Sequence, residues 1–230
     1  MAERVKSKRR YDSPRRRQQA AATRRDILAA AQRLFEQQGY ASTTMAAIAA
    51  EAGVALKTVY VAFETKSGLL RALWHMLLRG DQEDVHVRDR QWYRDVLEEP
   101  DPERQLRLNA RNSRIVKQRA AALMEVIRSA APTDPDIQEL WSRIQTDFYE
   151  IQRPIVEALR RSKALRLDLD VTRGTDILWT LNHPNVWQLL VAQRGWTPEQ
   201  YEQWFGDTTC SQLLNRRARG RDSRAAHGAR

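Results

Sequence analysis

A single cysteine, Cys210, among 230 residues excludes any disulfide within the chain, and a chain of this length can bury a sizeable core without a covalent staple. Cys210 falls in the helical pattern Thr197 to Leu214, where a small buried hydrophobe is the simpler reading and a reactive or intermolecular thiol the alternative. Metal is not expected. The four histidines, His75, His86, His183 and His227, are scattered, with no H-x-x-x-H pair and no cysteine partners to complete a ligand set. No apolar run approaches the ~18 residues needed to span a bilayer, and the basic N-terminus is not followed by a signal-type apolar segment. The expectation is a soluble, cytoplasmic protein without a membrane partner. Glycine-rich phosphate loops, nucleophile elbows and paired catalytic carboxylates are also missing, so neither an enzyme nor a cofactor is expected.

What the chain does have is positive charge, unevenly placed. The net charge is +10, of which residues 1–25 hold +8 and residues 216–230 hold +5, leaving −3 for the middle. The extremes, 1–22 and 216–230, read as unstructured basic segments on a mildly acidic globule, either polyanion-binding arms or solvated tails. Arg15, Arg16 and Arg17 are the candidates for DNA contact in the N-terminal one.

Residues 44–60 form two short helical patterns hinged at a glycine. Met45, Ile48, Ala49 and Ala52 share one face, Gly53 supplies the left-handed turn, and Val54 and Val59 anchor a second helix. That leaves Leu56, Lys57, Thr58 and Tyr60 facing outward, as the reading edge of a helix-turn-helix requires. Upstream, Thr23 to Gln38 is an amphipathic helix with Ile27, Leu28, Ala31, Leu34 and Phe35 on one stripe, Thr23 as N-cap and Gly39 as stop. Downstream, Phe63 closes the small core. Thr65 caps a helix from Lys66 through Leu69, Leu70, Leu73 and Leu77. The domain order is therefore a helix-turn-helix domain over 23–66 and a helical domain over 67–215.

The run Ile27-Leu28, Leu34-Phe35, Gly39-Tyr40, Thr43-Thr44, Ile48-Ala49, Ala52-Gly53-Val54, Thr58-Val59-Tyr60, Phe63, Lys66 and Leu69-Leu70 resembles the N-terminal signature of the tetracycline-repressor (TetR) family. The resemblance implies a homodimer whose C-terminal helices hold a small-molecule effector and whose N-terminal helices grip an operator in double-stranded DNA. It also places Thr44, Thr58, Tyr60 and Lys66 at phosphate-facing positions, and Leu56, Lys57 and at times Tyr60 at base-facing ones. Departures are Ala55 where serine is usual, Lys57 where a small residue is usual, and Val61 and Ala62 where bulky or histidine residues are usual. Without a serine, the second helix loses an N-cap typically worth about 1 kcal/mol.

The C-terminal half has no strand-like alternation and three Pro-headed helix starts, at Asp101-Pro102-Glu103, Asp134-Pro135-Asp136 and Thr197-Pro198-Glu199-Gln200. All-α is the predicted class. Helices are expected over Pro102 to Ala130, Pro135 to Lys163, Asp170 to Leu181, His183 to Arg194 and Thr197 to Leu214. Trp187, Leu190, Val191, Tyr201, Trp204 and Phe205 together make more apolar surface than a monomer exposes, and are assigned to a dimer seam. Arg111 and Asn112 either point inward beside Trp141, Phe148 and Trp179 to form an effector pocket or belong to a solvated helix face. The function expected is a ligand-responsive, homodimeric regulator, most simply a repressor on a palindromic operator. Its rivals are a sequence-tolerant nucleic-acid compaction or RNA-binding protein and a small-molecule binding module whose helix-turn-helix is structural.

Overall fold

The computed structural model describes residues 14–79 and 87–215; segments 1–13, 80–86 and 216–230, with His86 and His227, lie outside the described residues. Among the described residues the chain is helical, without a strand, and one isolated bridge pairs Leu165 with Leu214. The all-α expectation holds. The chain forms two compact units that divide between Leu73 and Trp74, within a helix rather than at its start.

The first unit comprises α1 (Pro14–Ser42), α2 (Met45–Glu51), α3 (Leu56–Phe63) and the first half of α4 (Lys66–Arg79). Helix α1 begins well before Thr23, so Thr23 is an interior residue and not a cap. The Gln18-Gln19-Ala20-Ala21-Ala22 run has strong intrinsic helicity and carries the helix backwards. Arg15, Arg16 and Arg17 accordingly lie exposed on helical turns and not on an unstructured arm. At the other end Gly39, at φ 78, breaks the helical path as expected. Ile27, Ala31, Phe35, Ile48, Val59, Leu69 and Leu70 are fully or almost fully buried and make the core. Arg24 ties α1 to α3, donating to the Ala62 carbonyl at 2.8 Å and lying over the Phe63 ring at 4.2 Å.

The second unit contains α5 (Gln91–Glu98), α6 (Pro102–Ala130), α7 (Pro135–Glu150), α8 (Arg153–Arg161), α9 (Val171–Leu181), α10 (Pro184–Trp187) and α11 (Pro198–Leu213). Each of the three Pro-headed starts is capped as read: Asp101, Asp134 and Thr197 accept backbone N–H groups, and Thr197 with Gln200 completes a capping box. The expected single helix Pro135 to Lys163 is instead two. Pro154 lacks an N–H and its ring clashes with the carbonyl four residues back, so α7 ends at Glu150 and α8 starts around the proline. Helix α10 continues as a π-helical segment, Gln188–Gln193, to the predicted end.

The aromatic seam requires a correction. Trp187, Tyr201 and Phe205 are buried inside the protomer, with Trp187 and Phe205 packed on Tyr201 at ring centroid distances of 4.9 and 5.9 Å. They belong to a core shared with Leu106, Ala110, Ile155, Val156 and Leu178. Leu190, Val191 and Trp204 are only half-buried against that core. Helical spacing does not distinguish a core stripe from an interface stripe. Helix α11 packs along α6.

Candidate functional site

In the first unit, α2 and α3 are bent from one another by 112°, within the range of a helix-turn-helix. Gly53 makes the turn at φ 66, a conformation a Cβ would disfavour. Thr44 is the N-cap of α2, its Oγ1 accepting from the Ala47 N–H at 3.0 Å, and it stays exposed. On α3, Val59 and Phe63 are buried while Leu56 and Tyr60 are 41% and 48% exposed, with Lys57 exposed between them. Thr58 is half-buried. The outward edge read from the sequence is therefore assembled on one helix.

Lys66 is placed differently from its phosphate-facing expectation. Its Nζ donates to the carbonyls of Tyr40 and Thr43 at 2.9 and 3.0 Å and lies 4.1 Å from the Tyr40 ring centroid. Those bonds close the turn between α1 and α2 onto the start of α4, a structural role. Ala55, the N-cap of α3, offers no side-chain acceptor. Ala55→Ser should therefore stabilise the first unit by about 1 kcal/mol; an unchanged or lowered unfolding midpoint would show that the cap position is already satisfied.

The second unit encloses a cavity of about 160 Å³. Helix α6 gives it Asn109, Asn112, Ser113, Val116, Lys117, Ala120 and Met124; Trp92 and Tyr93 come from α5, Ile144 and Phe148 from α7, and Trp74, His75 and Leu78 from α4. Of the expected pocket residues, Asn112 and Phe148 are in the lining. Arg111 is exposed, because one residue turns a helix by about 100° and carries it off the face of Asn112. Trp141 and Trp179 are half-buried outside the lining. Trp179 instead meets Tyr149 and His183, with ring centroids at 6.2 and 5.0 Å.

Lys117 was not singled out by the sequence, yet it dominates the cavity chemically. It is 6% exposed, and its Nζ donates to Asn182 Oδ1 and, at 2.9 Å, to Tyr201 Oη. Burial alone pushes its basicity well below that of an ordinary lysine; no carboxylate offsets the lost hydration. His183 is also held below its usual value, first by burial and then by the nearby Lys117 charge. Burial pushes the Tyr93 phenol up to about 12, and its hydroxyl donates to the Ile151 carbonyl at 2.7 Å. Asn109 Nδ2 and Gln152 Oε1 are buried without a hydrogen-bond partner. A signal for Lys117 was present: it sits one heptad from both Ala110 and Met124, on the buried stripe of α6.

A helix-turn-helix head and a helical unit with an internal cavity define the class of one-chain DNA-binding regulators. Residues 27–73 match the family model described as bacterial regulatory proteins, tetR family. The chain thus carries the DNA-binding domain of TetR-family transcriptional regulators. No curated protein sequence matches it. Among solved structures, a transcriptional regulator from Saccharomonospora viridis in complex with choline is 18% identical, covers 85% of this chain and 100% of its own, and superposes at a TM-score of 0.67. NalD, the secondary repressor of the MexAB-OprM multidrug efflux pump in Pseudomonas aeruginosa, is 19% identical over 86% of this chain and 99% of its own, at a TM-score of 0.65. A TetR transcription regulator from Haloarcula marismortui is also 19% identical, over 85% of this chain and 100% of its own, at 0.62. At such identities the likeness concerns the fold. Among the described residues no single helix is long and apolar enough to cross a membrane.

Proposed function

We propose that the protein is an effector-responsive repressor that binds a palindromic operator as a homodimer. The observation that carries this reading is the double duty of α4: Leu69, Leu70 and Leu73 are buried in the first unit, while Trp74, His75 and Leu78 line the cavity of the second. A ligand that favours one position of Trp74 and His75 biases the helix on which the reading head is built. It acts only through its differential affinity for the two arrangements. Half-sites on DNA recur about 34–36 Å apart or at multiples of that spacing, so a change in head separation alters operator affinity.

In this reading Leu56 and Lys57 face base edges, Thr44, Thr58 and Tyr60 face phosphates, and Arg15, Arg16 and Arg17 extend the cationic surface along α1. Choline, held by the Saccharomonospora neighbour, is a cation, and the Lys117 amine argues against carrying that ligand over. Selection of binding sites from random duplexes tests the proposal. A palindromic consensus is expected, and Lys57→Ala should lose about 1–3 kcal/mol of discrimination at one base pair per half-site. Uniform binding would favour a compaction protein. No binding at all would leave only a small-molecule module with a structural helix-turn-helix.

A further inference from the structure

The cavity contains an amine with no charge partner, which is an unusual thing to bury. A lysine survives in an apolar interior by neutralising or by finding an anion, and among the described residues Lys117 Nζ bonds to neutral oxygens, Asn182 Oδ1 and Tyr201 Oη. The groups facing it from the neighbouring elements are Phe148 on α7, His183 at the start of α10, and Tyr201 and Phe205 on α11, none of them an anion. Asp147, the carboxylate in the lining, is solvent-exposed and forms no ion pair with Lys117. The lining combines apolar Val116, Ala120, Met124 and Ile144 with the neutral amides Asn109 and Asn112.

Resting on the effector reading above, we propose that the ligand of this cavity is a small apolar monocarboxylic acid whose carboxylate pairs with Lys117. Size supports it. The cavity volume is about 160 Å³, close to the ~150 Å³ of an apolar cavity that takes up benzene, so the acid is of about one aromatic ring or a short aliphatic chain. The proton balance is simple: the neutral acid enters the apolar space, its carboxyl proton moves to Nζ, and carboxylate and ammonium remain as an ion pair. Asn109 lies two helical turns away on α6, at roughly 12 Å by helical rise. Its unpartnered Nδ2, with Gln152 Oε1, is available to a substituent at the far end of the ligand.

Calorimetry and tryptophan fluorescence on the full chain test this with matched probes: benzoate, phenylacetate and hexanoate against benzamide, benzyl alcohol and benzylamine. The acids are expected to bind at least tenfold more tightly than their neutral or cationic counterparts and to release the selected operator. Lys117→Met replaces the amine by an apolar chain of similar length, so it should fold with an unchanged or raised melting temperature. It should lose tenfold or more in acid affinity and gain affinity for benzyl alcohol. Retained alcohol binding shows that the cavity is intact in the variant, and Lys117→Gln, with a neutral polar side chain, should lose acid binding likewise. Equal binding of acids and neutral isosteres, or unchanged acid affinity in the variants, would overturn the acid assignment and leave the effector reading standing. If no probe of any charge binds the wild-type chain, both fall.

Discussion

Phe35→Ala is expected to cost the first unit about 3–5 kcal/mol, the usual range for emptying a buried phenylalanine site. Phe35 is 0% exposed and stacks on Tyr40 at 5.8 Å. Tyr40 in turn carries the carbonyl that Lys66 holds, so the hole opens beside the turn on which α2 and α4 converge. A small unit has few large side chains to close over it. The measurement is unusually clean because all seven tryptophans lie at or after Trp74. Denaturation followed by circular dichroism reports both units, whereas tryptophan fluorescence reports the second alone. The helical signal should lose its head component at much lower denaturant while the fluorescence midpoint stays in place. A shift worth less than about 1 kcal/mol would mean that the head relaxes around the missing ring.

Leu189→Asp combined with Trp204→Asp is the second large effect, and it follows from the proposed dimer. Leu189 is 52% exposed on the π-helical segment, and half-buried Trp204 meets Trp196 at a centroid distance of 6.2 Å. With Leu190 and Val191 these are the members of the aromatic and aliphatic cluster that a second copy could still cover. Charging both should give a folded monomer by sedimentation. Operator affinity should then fall on the order of 10²-fold or more, because the avidity of two linked half-site contacts is lost. Trp187, buried in the protomer, is the wrong target: its replacement tests folding rather than assembly. A dimer of normal affinity after the double substitution would place the seam on another face.

The helix-turn-helix was legible because several local signals converge on it: a glycine needing positive φ at Gly53, and apolar residues that share one face before the turn and anchor a second helix after it. The start of α6 was equally plain, since Asp101 and Pro102 mark it. Other features depended on competition between signals. Thr23 is a good cap residue, but the alanine-rich turn before it favours continuing the helix. Pro154 sits within an unbroken apolar stripe, and its backbone constraint overrides the stripe. Trp187 repeats at helical spacing with Leu190 and Val191, and Tyr201 with Trp204 and Phe205 on the next helix, which fixes each helix face but not whether that face meets its own core or a partner. Lys117 was missed for a different reason. Lysine is so rarely buried that its position on the stripe was outweighed by its identity, although an exception to that rule is where function is concentrated.

Lys66 has a consequence for how a signal would reach DNA. Because its ammonium grips the carbonyls of Tyr40 and Thr43, the first turn of α4 is tethered to the residue immediately before Thr44, the exposed cap of α2. A displacement at the root of α4 would pull on that turn as well as on α3, the helix that precedes it. In the proposed repressor, α4 would therefore act on the first unit through two attachments, the turn before α2 and the end of α3. Lys66→Met should uncouple the turn from α4 while leaving α3 attached.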